Sequence, residues 1–148
     1  MNGGGYAMKV FWNREHLVFT DMEDGVSYFL GSCDGLVIAL LSFMVVDYII
    51  GVMCAISDKK ISLKICFRGI GKKILIFMLV GMANVLDTQV IGTGSVLKTA
   101  VILFYLSNEG MSILNNVEHF GVPIPEKFKK VLAQLHDKGE ETFNEDRN

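Results

Sequence analysis

The chain has 148 residues, of which 51% are hydrophobic, and a formal net charge of −2. That length suits a single domain. The basic residues form one short cluster and one short patch near the end, with no aromatic-interleaved basic surface, which excludes nucleic-acid binding. The three cysteines, Cys33, Cys54 and Cys66, have no CxxC spacing. They form no disulfide framework and no metal set with the three histidines, and no cofactor is expected. The first residues, MNGGGYAMKVFWNREHLVF, lack the basic-then-apolar layout of a signal peptide.

The apolar residues are concentrated between about residues 35 and 117, and both ends are polar. Residues 35–56, GLVIALLSFMVVDYIIGVMCAI, contain one charge, Asp47, and twelve Leu, Ile, Val or Phe residues. These contribute about −4 to −7 kcal/mol to insertion, against about +2.5 to +3.5 for a central aspartate, so a transmembrane helix is expected. Residues 70–91 form a second expected span, with Asn84 inside it and Asp87 near its far end. Residues 98–117 form a weaker third. Its eight Leu, Ile, Val or Phe residues give about −2 to −5 kcal/mol, which Asn108, Glu109, Asn115 and Asn116 largely cancel.

At 100° per residue, Lys98, Asn108, Glu109, Ser112, Asn115 and Asn116 fall on one narrow stripe of this third helix, with Leu103, Ile113, Leu114 and Val117 outside it. Gly121, Pro123 and Pro125 then end it. Phe128, Val131, Leu132 and Leu135 follow at helical spacing beside Lys127, Lys129 and Lys130. A short amphipathic helix is expected here, lying on a membrane surface or packed on another part of the protein. The last residues, EETFNEDRN, read as a polar tail.

Charge at the flanks gives an orientation. The connector between the first two spans, taken as residues 57–73, holds Lys59, Lys60, Lys64, Arg68, Lys72 and Lys73 against the single acid Asp58. Short Lys/Arg-rich loops stay cytoplasmic. Residues 15–34 carry five acids and no Lys or Arg. Three crossings, with the N-terminus out and the C-terminus in, satisfy every flank, including the lysines at 127, 129 and 130.

Each expected span carries strongly polar residues, and such groups face a bundle interior or water. Asp47 shares a face with Gly51 and Cys54; Asn84 shares one with Gly81, Asp87 and Thr88. Small residues allow close helix approach, and Asn or Asp bridges helices. Either these groups hold a bundle together, with Asp47 and Glu109 protonated or paired with Lys98, or they border water after oligomerisation. The long stripe of the third helix favours the second role for that helix. No Ser-His-Asp grouping, phosphate loop or metal cluster is present, and GTGS at 92–95 reads as a turn, so an enzyme is not expected.

Residues 47–87 and 104–135 resemble the toxin-secretion/phage-lysis holin family of Gram-positive bacteria and their phages (bacteriophage holin family 4). The match is carried by Asp47 with Gly51, the basic region with Gly69 and Lys73, Asp87, the pattern of Asn108, Glu109, Gly110, Ser112, Ile113 and Asn115, and GVPIPEKFKK at 121–130. It divides the chain into an extension (1–23, with Met1, Met8 and Met22 as possible starts), a membrane domain (24–136) and a tail (137–148). The resemblance implies a multi-pass, all-α protein of the bacterial cytoplasmic membrane that assembles with itself. It also implies lesions that release a cell-wall hydrolase (endolysin) or a large toxin and trigger timed lysis. The competing expectation is a non-permeabilising membrane protein, such as a holin antagonist or a hydrolase anchor.

Overall fold

A computed structural model describes residues 22–32, 34–92 and 94–145, with side chains through Glu141. Met1, Met8 and the rest of the extension before Met22, together with Cys33 and the last three residues, lie outside the described residues. Among the described residues every element is helical and there is no strand. Helical backbone over residues 22–30 (α1) precedes α2 (Gly35–Ser57) and α3 (Leu63–Leu86), which continues into a π-helical turn (Asp87–Ile91). Two more helices follow, α4 (Val96–His119) and α5 (Glu126–Glu145).

Local chemistry sets these boundaries. Asp34 Oδ1 accepts the Val37 N–H at 3.1 Å and caps α2, and Ser62 Oγ accepts the Ile65 N–H at 3.3 Å and caps α3. The α2 exit is a Schellman turn, with Lys59 at φ 55° and the Lys60 N–H bonded to Ala55 O at 2.9 Å. Gly121, at φ 73°, ends α4 in the same way, with its N–H bonded to Glu118 O at 2.8 Å. The connector between α2 and α3 is therefore short, 58–62, and α3 begins seven residues before the expected start at 70. Only Lys59 and Lys60 lie in the connector. Lys64, Arg68 and Lys72 are exposed on the opening turns of α3.

The helices meet along seams of mixed three- and four-residue spacing, the coiled-coil pattern. On α2 the inward positions are Val37, Leu40, Met44, Asp47, Gly51 and Cys54; on α3 they are Cys66, Gly69, Lys73, Ile76, Val80, Ala83 and Asp87. α4 is the hub, touching α2, α3 and α5. Leu30, Val37, Leu40, Met44, Ile76, Val80, Ile102 and Leu106 form the buried core.

Two helical segments, Gly35–Ser57 and Leu63–Ile91, are long and apolar enough to cross a bilayer. Only 17% of the apolar window of the first and 33% of the second is buried, unlike the core helix of a soluble protein. Their exposed faces carry Ile38, Val45, Ile49 and Met53 on α2 and Ile74, Leu75, Met78 and Met82 on α3. α4 is long enough but less apolar and does not join them. The C-terminal helix is longer than expected and runs to Glu145, through most of the segment read as a polar tail.

Candidate functional site: charged layers on the helix seams

Asp47, Lys73 and Glu109 converge from three different helices. Asp47 lies ten residues before the end of α2 at Ser57, Lys73 ten after the start of α3 at Leu63, and Glu109 ten before the end of α4 at His119. At 1.5 Å per residue, all three sit about 15 Å from the same end of the bundle. Lys73 Nζ donates to Asp47 Oδ2 at 2.9 Å and also to Glu109 Oε2. The Glu109 side chain is 5% exposed, and those of Asp47 and Lys73 are each 16% exposed. One ammonium thus joins α2, α3 and α4. Asp47 Oδ1 is buried with no hydrogen-bond partner among the described residues. A cavity of about 440 Å³ adjoins the three charges, lined also by Tyr48, Gly69, Asn108 and Ser112.

A second polar layer lies toward the other end. Lys98 is eleven residues from Glu109 along α4, about 16 Å away. Asp87 accepts the backbone N–H groups of Leu97 at 3.1 Å and Lys98 at 2.7 Å, so its carboxylate caps the positive end of α4. Ser95, at the cap position itself, makes no capping bond through its side chain. Lys98 Nζ donates to Ser32 O at 3.1 Å and lies 3.6 Å from Asp34 Oδ2. Asn84 Nδ2 donates to Phe29 O at 3.1 Å and Tyr28 O at 3.3 Å, carbonyls in the final turn of α1. The Phe29 ring occupies the space where Gly81 lacks a side chain: a Cβ at Gly81 would lie 1.9 Å from it. Gly31, at φ +75°, lies so close to Asn84 that a Cβ there would meet Asn84 Oδ1 at 2.4 Å.

The sequence-derived residues therefore separate into two groups. Asp47 and Glu109 meet at Lys73 rather than at Lys98, because Lys98 belongs to the other layer with Asn84, Asp87 and Gly81. The sequence groups Lys73 with the topology-setting cations, but the seam spacing of α3 turns it inward. Gly51 faces Asn116, and Cys54 Sγ donates to Asn116 O at 3.6 Å. Of the α4 stripe, Lys98 and Glu109 are buried, Ser112 and Asn116 half-buried, and Asn108 and Asn115 exposed. Phe29, Ser32 and Asp34 are partners that sequence reasoning did not single out.

α5 folds back antiparallel along α4. Leu132 fills the notch at Gly110, where a Cβ would lie 2.6 Å from its side chain. His136 Nδ1 is 3.2 Å from Ser107 Oγ, and its ring stacks at 5.0 Å on Phe104. Gly139 lets the backbones meet; a Cβ there would lie 3.0 Å from Phe104 N and 3.2 Å from Ala100 O. Leu135 is half-buried, whereas Lys127, Phe128, Lys130 and Val131 are exposed. At the turn, Lys129 Nζ is 2.6 Å from Glu118 Oε1, and this hydrogen bond holds the ammonium above the usual lysine range.

The bacteriophage holin family matches residues 24–137. An uncharacterized 14.9 kDa protein from the nagH 3′ region of Clostridium perfringens is 39% identical over 112 residues, covering 76% of this chain and 85% of that protein. An uncharacterized Listeria monocytogenes protein is 41% identical over 105 residues, covering 71% and 74%. A probable holin of Bacillus phage phi105 is 34% identical over 107 residues, covering 72% and 78%. No solved structure matches. The chain, a membrane protein by its helices and its relatives, belongs to the bacteriophage holin family.

Proposed function

We propose that the protein acts as a holin, permeabilising a membrane rather than catalysing a reaction. In this reading it crosses the bacterial cytoplasmic membrane three times through α2, α3 and α4, with the N-terminus out and the C-terminus in. Copies accumulate, associate with one another and open lesions through which an endolysin or a large toxin leaves, triggering lysis. The observation that carries the reading is the clasp of Asp47, Lys73 and Glu109. α4 is less apolar than the other two spans, and the clasp gives its one mid-helix acid a partner at bilayer depth. It also gives both acids a cationic partner within one copy, which suits a protein that accumulates harmlessly before it acts. Only the assembled form has an aqueous lumen, so mass action makes opening steep in concentration.

The orientation rests on Lys59, Lys60, Lys64 and Arg68, which gather at the α2–α3 turn, and on Lys127, Lys129 and Lys130 beyond α4 at the same end. Inducible expression in bacteria with a potential-sensitive dye tests the function. A lag followed by abrupt depolarisation is expected. Steady potential and unaffected growth would instead fit an antagonist or a hydrolase anchor.

A further inference from the structure

The described molecule has two unlike sides. One is the apolar exterior of α2 and α3, with Val45, Ile49, Leu75 and Met78 exposed. The other is the outer face of α5. Lys127, Lys130, Gln134, Asp137 and Glu141 are all exposed and recur at three- and four-residue intervals, so they form one polar stripe along the helix. The residues gripping α4, namely Leu132, His136 and Gly139, lie on the opposite side of α5.

The grip is specific and long. It runs from Lys129 at Glu118 to Gly139 at Ala100 and Phe104, most of the length of α4. Where α4 lies at bilayer depth, α5 lies there too. Its charged stripe cannot meet hydrocarbon, so it must meet water. The apolar side needs lipid, and the polar side, with α4 between them, needs an aqueous space. A ring of such copies meets both demands.

We infer that α5, folded back on α4, is the helix that lines the aqueous lumen of the oligomer, with Lys127, Lys130, Gln134, Asp137 and Glu141 facing the passage. The surface fits further copies of this chain, arranged with α5 inward and α2 and α3 outward. The buried members of the α4 stripe, Lys98 and Glu109, then stay engaged with α2, α3 and α1 and do not border water. This inference rests on the holin reading above and specifies which helix that reading places at the lumen; in the assembled form the chain after Gly139 then lies toward the outer end of the bundle, in place of the inward C-terminus of that reading.

The test uses the full chain in vesicles loaded with a fluorescent dye, in a background with Cys33, Cys54 and Cys66 replaced by serine. Single cysteines are placed at Gln134 and Asp137 on α5, and at Val45 and Leu75 on the apolar side. After efflux begins, a bulky, membrane-impermeant maleimide is added. Loss of most dye efflux in Q134C and D137C, with none in V45C and L75C, is the expected result. Complete labelling of Q134C and D137C with unchanged efflux would overturn the inference and leave the holin reading intact. A cysteine-free protein that releases no dye would overturn both.

A second variant, Gly110→Cys with Leu132→Cys, joins α5 to α4 by a disulfide. Efflux that persists with the bond formed is expected. Efflux abolished by the bond and restored by a reductant would show that α5 must leave α4, which also overturns the inference.

Discussion

The carboxylate of Asp87, at the start of the π-helical turn, receives the backbone N–H of Lys98 at 2.7 Å and so holds the first turn of α4 against the end of α3. Asp87 is 1% exposed and also accepts the Leu97 N–H. Asp87→Ala removes the cap and leaves two buried donors unpaired, so a destabilisation of about 1–2 kcal/mol is expected. Asp87→Asn, which keeps an acceptor oxygen, should lose less. Unfolding of the detergent-solubilised protein, followed by circular dichroism, measures the difference.

Replacing Lys73 by methionine strands Asp47 and Glu109 without their shared cation. Breaking a buried pair in this way costs about 3–5 kcal/mol, whereas the exposed neighbour change Lys72→Met should stay within about 0.5 kcal/mol. Replacing the whole clasp, with Asp47→Leu and Glu109→Met added to Lys73→Met, should recover most of the loss. Resistance to denaturation by SDS gives the ranking. Equal resistance of the Lys72 and Lys73 variants would remove the clasp from the account.

Gly81→Ala drives a methyl group into the Phe29 ring and should loosen the contact of α1 with α3. The expected cost is about 1–3 kcal/mol, the range for overpacking. Phe29→Ala alone also loses the contact. Combined with Gly81→Ala it should cost less than the sum of the two single changes, since the clash is then gone. Amide exchange over residues 22–30 is the readout that separates this local release from general instability.

The pairing of Lys129 with Glu118 gives a pH signature outside the spans. Glu118 raises the lysine pKa, so the stabilisation is complete below the ordinary lysine value of about 10.4. It is lost as pH rises through the elevated value in the folded protein. The melting-temperature difference between the protein and Lys129→Gln should therefore be constant near neutrality and shrink above that range. High salt should shrink it too, since the pair is exposed at the surface.

The helices were legible to different degrees. The two apolar segments announce themselves because membrane-crossing composition is a local property. The α3 start is hard to place from sequence because the charges at Lys64, Arg68 and Lys72 mask the signal of Ser62 as a cap, followed by Cys66, Gly69, Lys73 and Ile76 at seam spacing. That spacing places Lys73 opposite Asp47, but only once α3 is started at Leu63. The pairing of Lys73 with Glu109, in place of the expected Lys98, depends on how far α4 slides along its neighbours, which no single segment encodes. The apolar positions of α5 were readable, while the choice between a membrane surface and another helix depended on Gly110 and Gly139, whose meaning appears only in three dimensions. The contact of Phe29 with Gly81 joins residues 52 apart and left no local trace.

The sharing of one lysine by two acids also bears on biogenesis. Asp47 and Lys73 neutralise each other, so the α2–α3 hairpin can enter the bilayer with its two mid-span charges paired while the rest of the chain is still being made. Glu109 has no such companion on its own helix and finds one only where that hairpin already stands. Integration should therefore be sequential, and a ribosome-arrested chain ending shortly after α3 should already resist alkaline extraction, whereas α4 produced alone should not.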